Sequence, residues 1–119
     1  MVELDNIKVG IDLVDINRFK DIPFDKNKSF YRKNFSENEI DYCLKFDEPY
    51  KHFAGKFAAK EAAKKTLDIK LKMLDIKIEY TNAKPKLIIP HNNYEFEVSI
   101  SHDGNYAIAI VISKKVNTT

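Results

Sequence analysis

Phe53-Ala54-Gly55-Lys56-Phe57-Ala58-Ala59-Lys60-Glu61-Ala62-Ala63-Lys64-Lys65 reads as one helix. Phe53, Phe57, Glu61 and Lys65 recur at steps of four, which puts them on a single helical stripe. The two phenylalanines belong in a core, so Glu61 stands at the end of an apolar stripe. A carboxylate there is costly without a partner. A metal ion or Lys65 is the obvious cation. The same Glu61–Lys65 spacing also suits an ordinary exposed helix pair, worth about 0.2–0.5 kcal/mol. Two further segments weigh on the choice: Val9-Gly10-Ile11-Asp12-Leu13-Val14-Asp15-Ile16-Asn17-Arg18, and Val98-Ser99-Ile100-Ser101-His102-Asp103-Gly104-Asn105-Tyr106-Ala107-Ile108-Ala109.

The chain has 119 residues, the size of one domain spanning 1–119, and its 44% hydrophobic content is enough for a core. A net charge of +2 does not by itself suggest a nucleic-acid binder. Cys43 is the only cysteine, so no intramolecular disulfide forms and a reducing, cytoplasmic setting fits. Met1–Asn6 has neither a basic nor an apolar leader region. The longest apolar run, Ala107 to Ile112, is too short to span a bilayer.

Alternation predicts a strand over Lys8 to Leu13, with Val9, Ile11 and Leu13 toward the core and Gly10 and Asp12 on the polar side. Asp15 is the expected N-cap of a short helix carrying Ile16 and Phe19. Pro23 and Asp25–Lys28 mark a loop. Ser36 and Glu39 have capping-box spacing and start a second helix to about Phe46. Pro49 suits the first turn of a third, ending near Leu67. Strands follow over Leu74 to Tyr80, Lys86 to Ile89 and Phe96 to Ser101, with a turn at Asn82–Pro85. Asp103-Gly104-Asn105 signals a hairpin into a last strand, Tyr106 to Ile112. Ser113 to Thr119 is a polar, fraying tail. The fold class is α+β, an antiparallel sheet with helices packed on one face.

Asp12 and Glu61, with the oxygens of a phosphorylated substrate, make a good Mg²⁺ site, because Mg²⁺ takes one or two carboxylates plus phosphates and keeps several waters. A solvated Asp12 is the plain alternative. Lys56, Lys60, Lys64 and Lys65 are either a solvated helix face or phosphate-binding groups, Lys65 being the best placed. His102 ends a strand beside a turn, from which a side chain reaches a ligand. With three glycines in the chain, Walker-type and dinucleotide loops are absent, and no Gly-x-Ser-x-Gly elbow surrounds Ser99 or Ser101.

Together these segments resemble the 4′-phosphopantetheinyl transferases, most closely the short bacterial holo-[acyl-carrier-protein] synthase type. The likeness rests on Gly10-Ile11-Asp12 with Arg18, on Phe57-Ala58-Ala59-Lys60-Glu61-Ala62 with Lys65, on Ser101-His102 with Tyr106-Ala107-Ile108-Ala109, and on Phe35-Ser36-Glu37-Asn38-Glu39. It covers nearly the whole chain. It implies transfer of the 4′-phosphopantetheine arm of coenzyme A to a serine of apo acyl carrier protein, with release of adenosine 3′,5′-bisphosphate, in the fatty acid biosynthesis of the cytoplasm. By the same resemblance Asp12 and Glu61 hold Mg²⁺ and Lys65 lies on the phosphate side, these being the catalytic residues. Lys56, His102, Lys84 and Pro85 join Lys65 on the coenzyme A side. Arg18 and Lys20 face the acidic carrier protein. Glu61, or a water it orients, takes the serine proton. A homotrimer with interface active sites is implied, and neither nucleic acid nor membrane is a partner.

Three departures stand out. Lys56 occupies a position where the family often has arginine, which weakens bidentate phosphate contact. Thr66-Leu67-Asp68-Ile69-Lys70 replaces a glycine-containing turn. Ala83-Lys84-Pro85 replaces Gly-Lys-Pro. A carrier- or coenzyme-binding relative without transfer activity is the rival reading, and a small basic nucleic-acid module ranks behind it.

Overall fold

A computed structural model describes residues 5–90 and 93–116. Most of the leader reading at Met1–Asn6, and the last three residues of the polar tail, lie outside the described residues. Strand β1 (Ile7–Asp15) leads into the short helix α1 (Asn17–Lys20). Helices α2 (Lys28–Asn34), α3 (Glu37–Leu44) and α4 (Pro49–Lys65) follow. The chain then forms β2 (Lys77–Thr81), β3 (Lys84–Ile88), β4 (Tyr94–Asp103) and β5 (Tyr106–Lys115).

The sheet is antiparallel, in the order β1-β5-β4, and β2 with β3 forms a separate two-stranded ribbon. Helices cover one face of the sheet, as the α+β reading expects. Local signals performed well. The N-cap of α1 is Ile16, one residue past the expected Asp15, and carries no side-chain cap; Asp15 still accepts the Asn17 N–H at 2.9 Å from the position before it. The capping box of Ser36 and Glu39 is complete, and Pro49 opens α4. Gly104 turns the β4–β5 hairpin at a φ of +56°. Asn82 and Ala83, at φ values of 51° and 65°, make the β2–β3 turn. Ala83 therefore holds the left-handed conformation without the glycine that would ease it, at a cost of about 1–2 kcal/mol.

The expected orientation of β1 is reversed. Val9, Ile11 and Leu13 are 60%, 54% and 59% exposed, while Gly10 and Val14 are buried. The reason lies in the neighbouring helix. α4 carries Ala58, Ala59, Ala62 and Ala63, all fully buried. It packs on the small residues of the sheet, with Ala107, Ala109 and Val111 of β5 beneath it. A Cβ added at Gly10 would lie 2.0 Å from the Ala62 carbonyl oxygen. So close an approach admits only small side chains, and the large ones turn outward. On β5, Ile108, Ile110 and Ile112 join them on the outer face.

On its other side α4 meets α2, α3 and the ribbon. Phe19, Tyr31, Phe35 and Phe53 are buried together there, with Phe53 centred 4.7 Å from Tyr31 and 5.1 Å from Phe35. Tyr31 explains why a helix forms over Lys28–Asn34, where no helix is expected. Its ring is buried and its hydroxyl donates to the Ile22 carbonyl at 2.8 Å. Two boundaries also move. A 3-10 turn at Met73–Asp75 replaces the start of the strand expected over Leu74 to Tyr80, and β5 runs to Lys115, with Ser113 buried rather than in a fraying tail.

Gly10→Ala is expected to destabilise the chain by about 3 kcal/mol or more, because backbone must move. Gly104→Ala, with open space around its Cβ, costs only its backbone strain, about 1–2 kcal/mol. Urea denaturation of both variants checks the order; an equal loss would contradict the packing argument.

Candidate functional site

Asp12 and Lys65 meet on one flank of α4. Asp12 shares the inward face of β1 with Gly10 and Val14, so it lies on the helix side of the strand and not on a solvent side. The Lys65 ammonium donates to the Ile11 carbonyl at 2.6 Å and to Asp12 Oδ1 at 3.2 Å. Glu61 stands one helical turn before Lys65 on the same stripe. It is half-buried and has no hydrogen bond or ion pair among the described residues. Lys65 thus serves Asp12, and Glu61 is left as an open carboxylate. No group of three or more metal-ligating side chains occurs among the described residues. Two hard oxygen donors suit Mg²⁺ completed by water and phosphate, and do not suit a closed structural metal cage.

The opposite flank carries His102. It pairs in register with Ala107, as Asp12 pairs with Ala109, so both point to the α4 side of the sheet from opposite edges. Strand spacing and rise put their backbones roughly 12 Å apart, with α4 between. His102 packs on Gly55, where an added Cβ would meet its Nε2 at 3.0 Å. Nε2 lies 2.9 Å from the Lys51 carbonyl, to which it donates, since a carbonyl only accepts. Beside it His52 stacks on Phe46 with ring centres 3.7 Å apart. Burial, then the neighbouring His102, Lys51 and Lys56, lower the His52 pKa from 6.5 to about 4.

Lys84 and Pro85 begin β3, on the ribbon, and Lys84 is exposed. Lys56 is not a surface lysine. It is 2% exposed, its ammonium donates to the Ile78 carbonyl at 2.5 Å, and it sits over the rings of Tyr42 and Tyr80 at 4.5 and 5.1 Å. Burial lowers its pKa, opposed by Cys43, Glu39 and Glu79. Lys60 is fully buried too. Its three donors meet Glu39 Oε1 at 2.7 Å, the Asn34 carbonyl at 2.8 Å and the Met73 carbonyl at 3.1 Å. The solvated-face reading fails for both lysines. The signal was their position among alanines that the same helix buries on every other side.

Arg18 and Lys20 project from α1 into solvent, and the Arg18 guanidinium lies 5.8 Å from the centre of the Phe57 ring. Lys26, Lys28, Arg32 and Lys33 extend this exposed basic surface. No helix among the described residues is long and apolar enough to cross a membrane.

Residues 8–111 match the family described as the 4′-phosphopantetheinyl transferase superfamily. The chain belongs to that family. A holo-[acyl-carrier-protein] synthase of Thermodesulfovibrio yellowstonii is 36% identical, the match covering 87% of this chain and 95% of the relative. One from Mycoplasma mycoides is 40% identical, over 92% and 96%. The transferase also superposes on the Helicobacter pylori holo-[acyl-carrier-protein] synthase solved in complex with coenzyme A, with a TM-score of 0.79 and 33% identity, over 90% of this chain and all (100%) of that one. The Bacillus anthracis enzyme, solved with coenzyme A (3′,5′-ADP), gives 0.78 at 28% identity, over 90% and 95%.

His52 also makes the stability of the transferase pH-dependent. Its folded pKa lies below its ordinary 6.5, so the unfolded chain binds more protons between about pH 6.5 and 4. Stability is lost as pH falls through that window and levels off below it. Relative to His52→Phe, the wild type should lose about 2 kcal/mol over this range, allowing for solvent screening. Thermal unfolding of both proteins from pH 7 to 4 checks this; parallel curves would refute it.

Proposed function

We propose that this transferase moves the 4′-phosphopantetheine arm of coenzyme A to a serine of apo acyl carrier protein and releases adenosine 3′,5′-bisphosphate. The observation that carries the reading is the open Glu61 carboxylate beside the Asp12–Lys65 pair, in a chain whose relatives are named for this activity. The serine oxygen forms a bond to the coenzyme's β-phosphorus, and the bond from that phosphorus to the bridging oxygen breaks. The serine proton passes to Glu61 or to a water it orients. Asp12 and Glu61 would hold Mg²⁺, which neutralises pyrophosphate charge. Lys65 is within reach of the same phosphates. Such a transfer needs positioning and charge neutralisation more than covalent machinery. Lys84, Pro85 and His102 serve the coenzyme side, and the basic face around Arg18 and Lys20 steers the acidic carrier.

We further infer a homotrimer with active sites between subunits. Two observations support it. The outer face of β1 and β5 exposes Val9, Ile11, Leu13, Tyr106, Ile108, Ile110 and Ile112 together, an apolar patch of the kind that marks an interface. Asp12 and His102 also lie on opposite flanks of α4, so one chain does not bring them around a common ligand. The setting of this reaction is the cytoplasm, in fatty acid biosynthesis; the lone thiol, Cys43, is buried and free.

Incubation with apo acyl carrier protein, coenzyme A and Mg²⁺ should add one phosphopantetheine to the carrier, seen by intact mass, and chelator should abolish the gain. Asp12→Ala and Glu61→Ala should each lower the rate by at least about 10²-fold with unfolding curves close to wild type. Full activity of either variant at low Mg²⁺ would sink the metal assignment. No gain on a carrier that another transferase modifies would favour binding without transfer.

A further inference from the structure

Among the described residues the β2–β3 ribbon forms a sheet of its own, with β3 packed beside β4, and a two-stranded ribbon is marginal by itself. Something must fix it to the body. Ile78, in the middle of β2, is fully buried and lies opposite Leu87 in register. Its N–H and C=O both point away from β3, along the strand's free edge. Buried groups on such an edge require partners. Here a third strand is replaced by two charged side chains. Glu39 Oε2 accepts the Ile78 N–H at 2.8 Å, and the Lys56 ammonium donates to the Ile78 carbonyl.

The clamp is braced on both sides. Glu39 Oε1 accepts from the Ser36 N–H at 2.8 Å and from Lys60 at 2.7 Å, which ties it to the start of α3 and to α4. Lys60 also donates to the Met73 carbonyl in the turn leading into the ribbon. The Lys56 ammonium lies beside Tyr42 and Tyr80, whose rings stack on each other 4.9 Å apart and only 4° from parallel. Tyr80 in turn pairs with Pro85, and Thr81 with Lys84. The fixed point at Ile78 therefore lies three register steps from Lys84.

We infer that Glu39 and Lys56 form a two-sided polar clamp that positions the β2–β3 ribbon, so that Lys56 acts on coenzyme A binding through the ribbon and not by touching the ligand. The second half rests on the proposed function, which puts Lys84 and Pro85 on the coenzyme side. Lys56 is a positioning residue in this account. That also accounts for a lysine being serviceable at this place: one donor to a carbonyl beside a stacked tyrosine pair needs no bidentate fork.

The test compares wild type, Lys56→Met and Lys84→Ala in two assays. One is amide hydrogen exchange across residues 77–88; the other is steady-state transfer from coenzyme A to apo carrier protein. Lys56→Met should speed ribbon exchange at least tenfold, leave β4 and β5 protection unchanged, raise KM for coenzyme A about tenfold and keep kcat within twofold. Lys84→Ala should raise KM with unchanged exchange. A raised KM with wild-type ribbon exchange in Lys56→Met would overturn the clamp and make Lys56 a ligand contact. Wild-type behaviour in both assays would overturn it as well. If Lys56→Met does not fold, Lys56→Gln replaces it: a shorter, neutral amide reaches the Ile78 carbonyl poorly while the Glu39–Lys60 pair stays intact, so ribbon exchange should rise at least tenfold, and unchanged exchange would refute the clamp. Failure of the wild type to transfer would count against the proposed function alone, since exchange still decides the clamp.

Discussion

The contact of the Gly10 backbone with the Ala62 carbonyl governs this fold. It brings α4 directly onto β1 and β5, whose inner face carries the small residues Gly10, Ala107, Ala109 and Val111 beneath the helix. Two consequences follow from the one constraint. Asp12, two residues beyond Gly10 on the same face, comes within reach of Lys65 on the helix. The branched residues of β1 and β5 are left on the outer face, where a single chain has nothing to cover them. The candidate site and the apolar surface are thus products of the same close approach.

The far side of α4 is built on different physics. There the helix sends Lys56 and Lys60 into a region with no water to solvate them, and Glu39 balances them. Breaking such a buried pair by removing one partner typically costs about 3–5 kcal/mol. All three Lys60 donors and both Glu39 carboxylate oxygens have partners, so the charges join α2, α3, α4 and β2 instead of merely tolerating burial. Cys43 lies in the same region; burial pushes its thiol up to about 12, which keeps it protonated and unreactive.

What the amino-acid sequence discloses here depends on how local the cause is. Ser36 with Glu39, Pro49, and Asp103-Gly104 each act within a few residues, and the corresponding caps and turns are where they are expected. The α+β arrangement and the stripe that brings Glu61 and Lys65 together were legible for the same reason. The face of β1 was not. Alternation divides Val9, Ile11 and Leu13 from Gly10 and Asp12, but which set lies under the helix is decided by how near α4 comes. The helix around Tyr31 was hidden among lysine, serine and asparagine, because a single buried ring holds it. Glu39 already had a role as a cap, which concealed its bonds to Lys60 and Ile78. Those bonds join residues far apart in the chain, and no pattern of spacing announces them.

In the proposed function the metal lies by Asp12 and the coenzyme by His102; α4 separates the two residues, so the proposed trimer would unite them, and the outer face of β1 and β5 would give copies of the chain a surface on which to meet. The decisive measurement mixes Asp12→Ala and His102→Ala, each expected to be inactive alone, under conditions that exchange subunits. Sites between subunits predict that the mixture regains a substantial fraction of wild-type transfer, because some interfaces then pair an intact Asp12 with an intact His102. A mixture as inactive as its parents, with subunit exchange verified by mass, would contradict it.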